Sequence, residues 1–164
     1  MENKANETLQ TLAEKIKDIK TAMLVTAEPD GTLRSRPMQS LQIEGNTIWF
    51  LTGYKSSKSY EIKNESHVNL SYASESNKLY VSVSGLASVV RDSHKIDELW
   101  SEPFKAWFPE GKTDPDVALL RVDVTQAEYW DTPTSPVVHL IGYAKAVVTG
   151  ERYHPGENEK INVQ

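Results

Sequence analysis

Apolar residues near the start of the chain recur at the spacing of one helix face. From Thr8 onward, charged residues separate these apolar positions, which are Leu9, Leu12, Ala13, Ile16 and Ile19. Residues three and four apart lie on the same side of an α-helix. The pattern therefore predicts an amphipathic N-terminal helix.

After this segment the pattern changes to short runs rich in β-branched and aromatic residues, separated by Gly, Pro, Asn and Ser. The strands predicted from these runs are 21–27, 33–43, 47–52, 67–73, 78–91, 117–130 and about 137–148. Two shorter helices are predicted, one over 58–64 after a serine cap and one over 92–102.

Six or seven strands in hairpins, with helices beside them, predict a mainly β fold. A closed or split antiparallel β-barrel is favoured because closure removes exposed sheet edges. A doubly wound α/β fold is disfavoured, since it needs a helix after nearly every strand. We expect one domain over residues 1–150 and a polar C-terminal tail over 151–164.

Composition narrows the possible chemistry. The chain has 164 residues, no cysteine and four histidines without metal-ligand spacing. Thiol catalysis, iron–sulfur clusters and cysteine zinc sites are excluded, and we predict no metal. A net charge of −5 makes nucleic acid a poor partner. The charged N-terminus and the lack of a long apolar run predict a cytoplasmic protein without a membrane segment.

The segment from Leu33 to Met38 is a candidate anion site. Arg34 and Arg36 are two residues apart on a predicted strand and so share a face, where guanidinium groups can bind a phosphate. Pro37 indicates a strand edge or bulge at which a ligand can reach the backbone. The alternative interpretation is a pair of solvated arginines on an outer face.

A second candidate segment joins a strand end to a short helix at residues 52–58. Ser57 and Lys58 offer a hydroxyl, helix-start amides and an ammonium group, all of which favour a phosphate. The alternative is that the serines only cap the helix. Arg36 and Lys58 together would balance the two charges of a phosphate monoester.

Aromatic residues cluster in a predicted loop over 104–112 and at the end of the strand that carries Trp130. Such residues face either a planar ligand or a partner subunit, or else plug the bottom of a barrel. The chain lacks G-x-S-x-G, Walker and G-x-G-x-x-G motifs, so hydrolase, phosphoryl-transfer and Rossmann functions lose their usual support.

Taken in order, several short motifs resemble the pyridoxamine 5′-phosphate oxidase-like flavoproteins and, more closely, their general stress protein 26 branch. The motifs are S-R-P-M at 35–38, W-F-L-T at 49–52, S-S-K at 56–58, A-W-F-P-E-G at 106–111 and E-Y-W-D at 128–131. The resemblance implies a six-stranded antiparallel split barrel and a homodimer with FMN at the subunit interface.

The resemblance also implies roles for individual residues. Arg36, Ser57 and Lys58 would bind the FMN phosphate. The flavin ring and ribityl chain would be lined by Arg36, Pro37, Met38, Gln39, Ser40, Leu51 and Thr52. Trp107, Lys112 and Trp130 would approach from the other subunit.

Departures from the family pattern argue against a true pyridoxamine phosphate oxidase. Leu41 stands where those oxidases carry a substrate-binding lysine. Their substrate-phosphate cluster would fall near His94, Glu98 and Glu102, where two acidic groups would repel a phosphate. The Arg-x-His element after the final tryptophan is missing, although His139 lies nearby in sequence.

The resulting hypothesis is an FMN-binding general stress protein that acts as a flavin-dependent oxidoreductase on an unknown small molecule. Its electrons would come from a nicotinamide or another small donor. No residue is predicted to be catalytic, because none is a convincing general acid or base. The alternative is a non-enzymatic flavin-storage or flavin-sensing dimer. A haem-degrading relative would need a ligating histidine, and no histidine here has a supporting motif.

Overall fold

The computed structural model describes residues 2–134, 136–154 and 156–163. Four helices, two 3₁₀ segments and seven strands follow one another in this part of the chain. In order they are α1 (Glu2–Ile16), β1 (Thr21–Ala27), β2 (Leu33–Glu44), β3 (Thr47–Gly53), α2 (Ser57–Asn64), β4 (His67–Ser74), β5 (Leu79–Val90), α3 (Ser93–Leu99), 3₁₀ segments Glu102–Ala106 and Gly111–Thr113, β6 (Val117–Asp131), α4 (Pro136–Thr149) and β7 (Glu157–Asn162).

Six antiparallel strands close into a barrel. They pair in the order β3-β2-β1-β4-β5-β6, and a β3–β6 pairing completes the ring. Inward residues alternate with outward ones along each strand, as in β1, where Ala22, Leu24 and Thr26 are buried. The prediction of a mainly β, six-stranded antiparallel barrel with flanking helices is confirmed.

The long strand β6 is shared between two partners on one edge. Its first half pairs with β3, from Val117 to Asp123, and its second half pairs with β7, from Gln126 to Asp131. A register shift against β5 lies between these halves, at Gly85. A Cβ atom on Gly85 would lie 2.6 Å from the backbone oxygen of Asp123, so glycine permits the close approach there.

The barrel is split between β2 and β3. The two strands pair only near their hairpin, with Ser40 opposite Phe50 as the last pair. A bulge at Leu41 shifts the register by one residue. The first half of β2, residues 33–39, pairs with β1 on one side, and in the described residues it has no strand on the other. This opening positions the candidate site.

Two apolar clusters hold the fold together. The larger one fills the barrel and includes Leu12 and Ile16, by which α1 closes one end. The smaller one lies on the outer side of β3 and β6, where α3 and the 3₁₀ segments pack. Its buried members are Ile96, Phe108, Val117 and Leu119, and Trp49, Leu51, Leu99 and Trp100 pack against them.

The strand predicted over about 137–148 is wrong, because this segment is helix α4. Its many valines favoured a strand, but Pro136 occupies the first helical position and the apolar residues recur at helical spacing. None of the helices that the structure describes combines the length and apolar character needed to cross a membrane.

Part of the predicted polar tail forms a strand. Residues Glu157–Asn162 are almost all exposed, but they extend the sheet along the half of β6 that β3 leaves unpaired. Ile161 alone in this strand is buried, and it joins the barrel core. Pro155 and Gln164 of the same segment lie outside the described residues.

Candidate functional site

A cavity of about 330 Å³ lies in the split between β2 and β3. Six residues that the sequence predicted for this chain's own side of the site line it, namely Pro37, Met38, Gln39, Leu51, Thr52 and Lys58. Trp107, which was predicted to approach from the other subunit, instead lines the cavity of its own chain. Four residues that were not predicted complete the lining, namely Leu41, Gly53, Phe104 and Phe108. The wall is therefore mostly apolar, and Lys58 is the one titratable side chain among its lining residues.

The split exposes strand edges to this cavity. Leu51 to Gly53 pair with β6 on their far side, and Pro37 pairs with Met23 of β1 on its far side. Backbone groups on the near sides are free of a strand partner, and Pro37 carries no N–H to leave unsatisfied. A planar polar ligand placed in the split could hydrogen-bond to these edges.

The 3₁₀ segment Glu102–Ala106 and the residues after it cover the outer side of the cavity. Phe108 is buried in the smaller apolar cluster and fixes this cover to the barrel. Phe104 makes an edge-to-face contact with Trp100 at 5.7 Å between ring centroids. Trp107 is 73% exposed although it lines the cavity, so its indole ring is available to a ligand or a partner.

The start of α2 forms the polar end of the cavity. Ser56 is the N-cap residue, and its side chain accepts a hydrogen bond from the amide of Ser59, which confirms the predicted serine cap. The Ser59 hydroxyl donates to the Gly53 carbonyl at 2.8 Å and so ties the helix to β3. Ser57 is the exposed first residue of the helix, and Lys58 follows it into the cavity.

Lys58 is a half-buried cation without an ion-pair partner among the described residues. Burial and the nearby positive charge of Arg36 lower the pKa of Lys58, although the carboxylates of Glu61 and Asp116 act in the opposite direction. An anion bound at this position would oppose the lowering of the pKa, because a nearby negative charge favours the protonated form of Lys58. The ammonium group is therefore suited to an anionic ligand.

Arg36 lies next to this site and is held from two sides. Its guanidinium donates to the hydroxyl of Thr26 at 2.7 Å and to the carboxylate of Glu61 at 2.8 Å. Thr26 also donates to Glu61, which closes a three-membered network across β1, β2 and α2. These bonds use two of the five guanidinium N–H donors and leave the others for a ligand.

Glu61 carries its charge in a buried position, with 4% of its side chain exposed. Burial alone would raise the pKa of Glu61, but hydrogen bonds from Thr26 and Arg36 and the charges of Arg36 and Arg34 lower it below the ordinary value. Arg34 also pairs with Glu28 at 3.0 Å. Both arginines thus face Glu61, as their two-residue spacing predicts.

Comparison with known proteins agrees with this geometry. Residues 7–154 match the family model described as pyridoxamine 5′-phosphate oxidase like. Protein bli-3 of Neurospora crassa is 30% identical over 143 residues, which cover 80% of this chain and 68% of that protein. The chain belongs to the pyridoxamine 5′-phosphate oxidase-like family.

Two solved structures of related proteins share the fold. A general stress FMN/FAD binding protein from Xanthomonas citri is 32% identical with a TM-score of 0.68, covering 79% of this chain and 92% of that one. General stress protein 26 from Bacillus anthracis is 27% identical with a TM-score of 0.63, covering 72% of this chain and 92% of that one. The resemblance drawn from the sequence is confirmed.

Some residues that the family resemblance pointed to lie away from the cavity. Ser40, which belongs to the last β2–β3 pair, forms a hydrogen bond with the hydroxyl of Tyr72 at 2.8 Å. Lys112 pairs with Asp97 at 2.8 Å. Trp130 is 41% exposed and sits between Tyr80 and Asn158 in the neighbouring strands. Within one chain, the structure does not bring these three to the site.

The positions at which this chain departs from the family's oxidases form no anion site. Leu41 lines the cavity and adds an apolar side chain there. Glu98 accepts hydrogen bonds from Lys95 and Gln42, and Glu102 pairs with Lys105 at 2.7 Å. His139 contacts the hydroxyl of Tyr153 and the carbonyl of Pro133, far along the chain from these groups.

The sequence did not single out Thr26 and Glu61, which hold Arg36, nor Phe104 and Phe108 of the cavity wall, and Gly53 was included only as part of the candidate segment 52–58. Glu61 carried one usable signal, because it lies three residues after Lys58 and so on the same face of α2. Phe104 and Phe108 belong to the aromatic segment already singled out for Trp107. Thr26 carried no signal, since its role depends on β1 lying beside β2.

Proposed function

We propose that this protein binds FMN in the cavity between β2 and β3, with the phosphate at the end formed by Lys58, Arg36 and the start of α2. The observation that carries the proposal is the division of the cavity. At one end lies Lys58, a half-buried cation that has no ion-pair partner among the described residues, with the charge of Arg36 nearby, and the remaining wall is mostly apolar and aromatic. An amphiphilic ligand with a phosphate at one end and a flat ring at the other matches this division.

The size of the site supports this ligand. Cofactor-sized sites have volumes of roughly 300 to 1,000 Å³ and mostly apolar walls with a few polar groups. The cavity of about 330 Å³ falls at the lower end of this range. Because Pro37 and Gln39 are exposed, the ligand would remain open to solvent on one side unless another surface covers it.

The phosphate end has both charge and hydrogen-bond donors. Lys58 supplies a point charge, and Arg36 retains guanidinium donors that its bonds to Thr26 and Glu61 do not use. Ser57 adds a hydroxyl at the start of α2, where backbone N–H groups have no partner within the helix. Together these groups suit a phosphate monoester better than a neutral riboflavin tail.

Bound FMN would supply hydride and single-electron transfer, and the protein would supply binding, orientation and exclusion of water. Among the lining residues no carboxylate, histidine or tyrosine faces the position proposed for the ring. We therefore assign no catalytic residue. The proposed activity is flavin-dependent oxidation or reduction of a small molecule, with a nicotinamide or another small donor as the source of electrons.

The outer face of the barrel supports a homodimer with FMN at the subunit interface. The outward residues of β1, β2, β4 and β5 that pair side by side are uncharged, namely Met23, Val25, Ser35, Pro37, Asn69, Ser71, Ser82 and Ser84. A broad face without charge is typical of the centre of an interface. Pro37 belongs both to this face and to the cavity, so a second copy docked there would cover the open side of the ligand.

Exposed apolar residues on α4 support association as well. Leu140, Ile141, Val147 and Val148 are each 64 to 85% exposed and lie on one side of the helix. In the proposed dimer, Trp130 and Lys112 would reach the flavin of the other subunit, as the family resemblance implies. Neither residue reaches the cavity of its own chain.

Purification in the presence of FMN tests the proposal. We expect a yellow protein with flavin absorbance. We also expect the midpoint temperature of thermal unfolding to rise with FMN concentration, because a ligand that binds only the folded state stabilises it by mass action. At a free concentration of 100 times Kd the gain is about 2.7 kcal/mol. Absence of both bound flavin and thermal stabilisation would show that the cavity does not bind FMN.

Anaerobic reduction of the bound flavin distinguishes an oxidoreductase from a protein that only binds flavin. NADH or NADPH added to the FMN complex without oxygen should bleach the flavin absorbance if the protein is an oxidoreductase with a nicotinamide donor. A flavin that stays oxidised with both nucleotides would favour another donor or the non-enzymatic storage or sensing dimer. Dithionite reduction of the same sample provides the positive control.

A further inference from the structure

We propose that Glu61 is a positioning residue that fixes the guanidinium of Arg36 for the phosphate of the bound ligand. This inference rests on the proposed function, because it assigns a role to a group behind the phosphate end of the cavity. Glu61 does not line the cavity itself. It would act through Arg36, to which it is bonded at 2.8 Å.

The geometry is that of a clamp with two arms. Glu61 lies on α2 and Thr26 on β1, and both bond to the guanidinium of Arg36, which comes from β2. Thr26 in turn donates to Glu61, so the two arms hold each other. A planar guanidinium bonded at two nitrogen atoms has a fixed plane and a fixed direction for its remaining N–H donors.

The position of Glu61 along α2 couples this clamp to Lys58. The two residues are three apart and share a helix face, and Ser59 between them is tied to the Gly53 carbonyl at 2.8 Å. The ion pair between Glu61 and Arg36 thus joins the helix that presents Lys58 to the strand that presents Arg36. The relative placement of the two cations depends on this bond.

A buried carboxylate beside an anion site calls for a reason, because its charge alone would oppose the binding of a phosphate. Thr26 and Glu61 are 1% and 3% exposed, so the network is shielded from water. An unpaired Arg36 would be free to take many rotamers, and ordering it would cost affinity when the phosphate binds. The presence of the Glu61 carboxylate is explained if it orders the Arg36 side chain before the phosphate binds.

The substitution Glu61→Gln distinguishes a positioning role from a purely electrostatic role of Glu61, because the two roles predict opposite changes in FMN affinity. The amide keeps the shape and one acceptor oxygen but removes the negative charge. If Glu61 acted only as a charge, FMN would bind more tightly to the variant. If it positions Arg36, the dissociation constant for FMN should rise about tenfold, the effect expected of one lost charge-assisted hydrogen bond. Riboflavin, which lacks the phosphate, should bind with unchanged affinity.

A matched control and a double variant complete the experiment. Glu65→Gln makes the same change at the C-terminal end of α2, where Glu65 is exposed and contacts His67, and it should leave both affinities unchanged. In an Arg36→Met background, Glu61→Gln should no longer weaken FMN. An equal loss for FMN and riboflavin, or the same loss without Arg36, would overturn the positioning role.

A ligand-free measurement distinguishes failure of this inference from failure of the proposed function. If the unmodified protein binds neither flavin, the proposed function is wrong, but the clamp can still be tested by NMR. Slow rotation of the Arg36 guanidinium should give separate side-chain N–H signals that merge in Glu61→Gln, because charge-assisted hydrogen bonds restrict that rotation. Identical Arg36 signals in both proteins would show that Glu61 does not fix this side chain.

Discussion

Ser40 of β2 pairs with Phe50 of β3, and beyond this pair the two strands separate. The pair therefore marks the inner end of the split in which the cavity lies. Pro37 to Gln39 continue along one side of the split, and Leu51 to Gly53 along the other. The site consequently depends on where the hairpin stops pairing.

Replacement of Lys58 by methionine should weaken FMN binding selectively. The ammonium group is the one cation among the described residues that line the cavity, so its loss should raise the dissociation constant for FMN by about tenfold or more. Riboflavin should be affected little, since it has no phosphate. Fluorescence quenching titrations measure both constants, and Lys63→Met, an exposed change on the same helix, is the control. Equal losses for the two ligands would place Lys58 away from the phosphate.

FMN affinity should also fall at alkaline pH. Burial and Arg36 lower the pKa of Lys58 from its ordinary value of 10.5, so the ammonium of the ligand-free protein loses its proton below that pH. Binding of a phosphate favours the charged form, so the dissociation constant should rise as pH rises through this lowered pKa. The dissociation constants of FMN and riboflavin should be measured from neutral pH upward and compared as a ratio. Titration of the flavin ring cancels in this ratio, because both ligands carry the same ring. The ratio should be flat in Lys58→Met.

A charge placed on the uncharged outer face should disrupt the proposed dimer. Ser71 lies between Met23 and Ser82 on that face, so Ser71→Glu would bury an unpaired carboxylate in the interface. Light scattering after size exclusion should then report a monomer, with weaker FMN binding. Ser76→Glu, in the exposed turn after β4, should leave the dimer intact. A dimer that persists in Ser71→Glu would show that the subunit interface does not include this face.

Alkaline destabilisation should report on Tyr72 in the barrel core. Burial raises the pKa of Tyr72 to about 12, and a hydrogen bond with Ser40 opposes this only in part. A phenol whose pKa is raised on folding stabilises the protein fully below its ordinary pKa of 10.0, and this stability is lost as pH rises towards 12. The loss should be on the order of 2 to 3 kcal/mol in the free energy of unfolding.

The Tyr72→Phe variant should lower this alkaline slope, because phenylalanine has no proton to release. At neutral pH it should cost about 1 kcal/mol through the lost hydrogen bond to Ser40. Urea unfolding at several pH values measures both effects. Tyr60→Phe, at a 63% exposed position, should keep the slope of the unmodified protein. An unchanged slope in Tyr72→Phe would assign the alkaline loss to other groups, such as Tyr129.

An alanine at Gly85 should destabilise the barrel where β5 shifts register against β6. The added Cβ would lie 2.6 Å from the Asp123 oxygen and 2.8 Å from a methyl carbon of Val122. Relief of this clash requires backbone movement, and such overpacking typically costs about 1 to 3 kcal/mol. Thermal or urea unfolding checks the value, with Ser88→Ala on the exposed side of the same strand as control. A stability equal to that of the unmodified protein would mean that the register shift can relax.

The sequence by itself determined the positions of most strands and the candidate residues within each segment. Strand alternation, turns and the S-R-P-M and S-S-K motifs depend on neighbours along the chain, so Arg36 and Lys58 could be named without a structure. The segment that forms α4 was predicted to be a strand because valine has a high β propensity. The same apolar residues also fit the spacing of a helix. The local pattern of residues cannot by itself choose between a strand and a helix for this segment.

Only the tertiary structure decided how the candidates meet. Residues 25 positions apart, Arg36 and Glu61, become ion-paired because α2 packs against β1, the strand beside β2. Thr26 joins them through the pairing of β1 with β2. The split forms because β3 stops pairing with β2 after Phe50 while it stays paired with β6 along its whole length. Such contacts depend on strand register and on which edges stay unpaired, and these are properties of the closed barrel and not of any single segment of sequence.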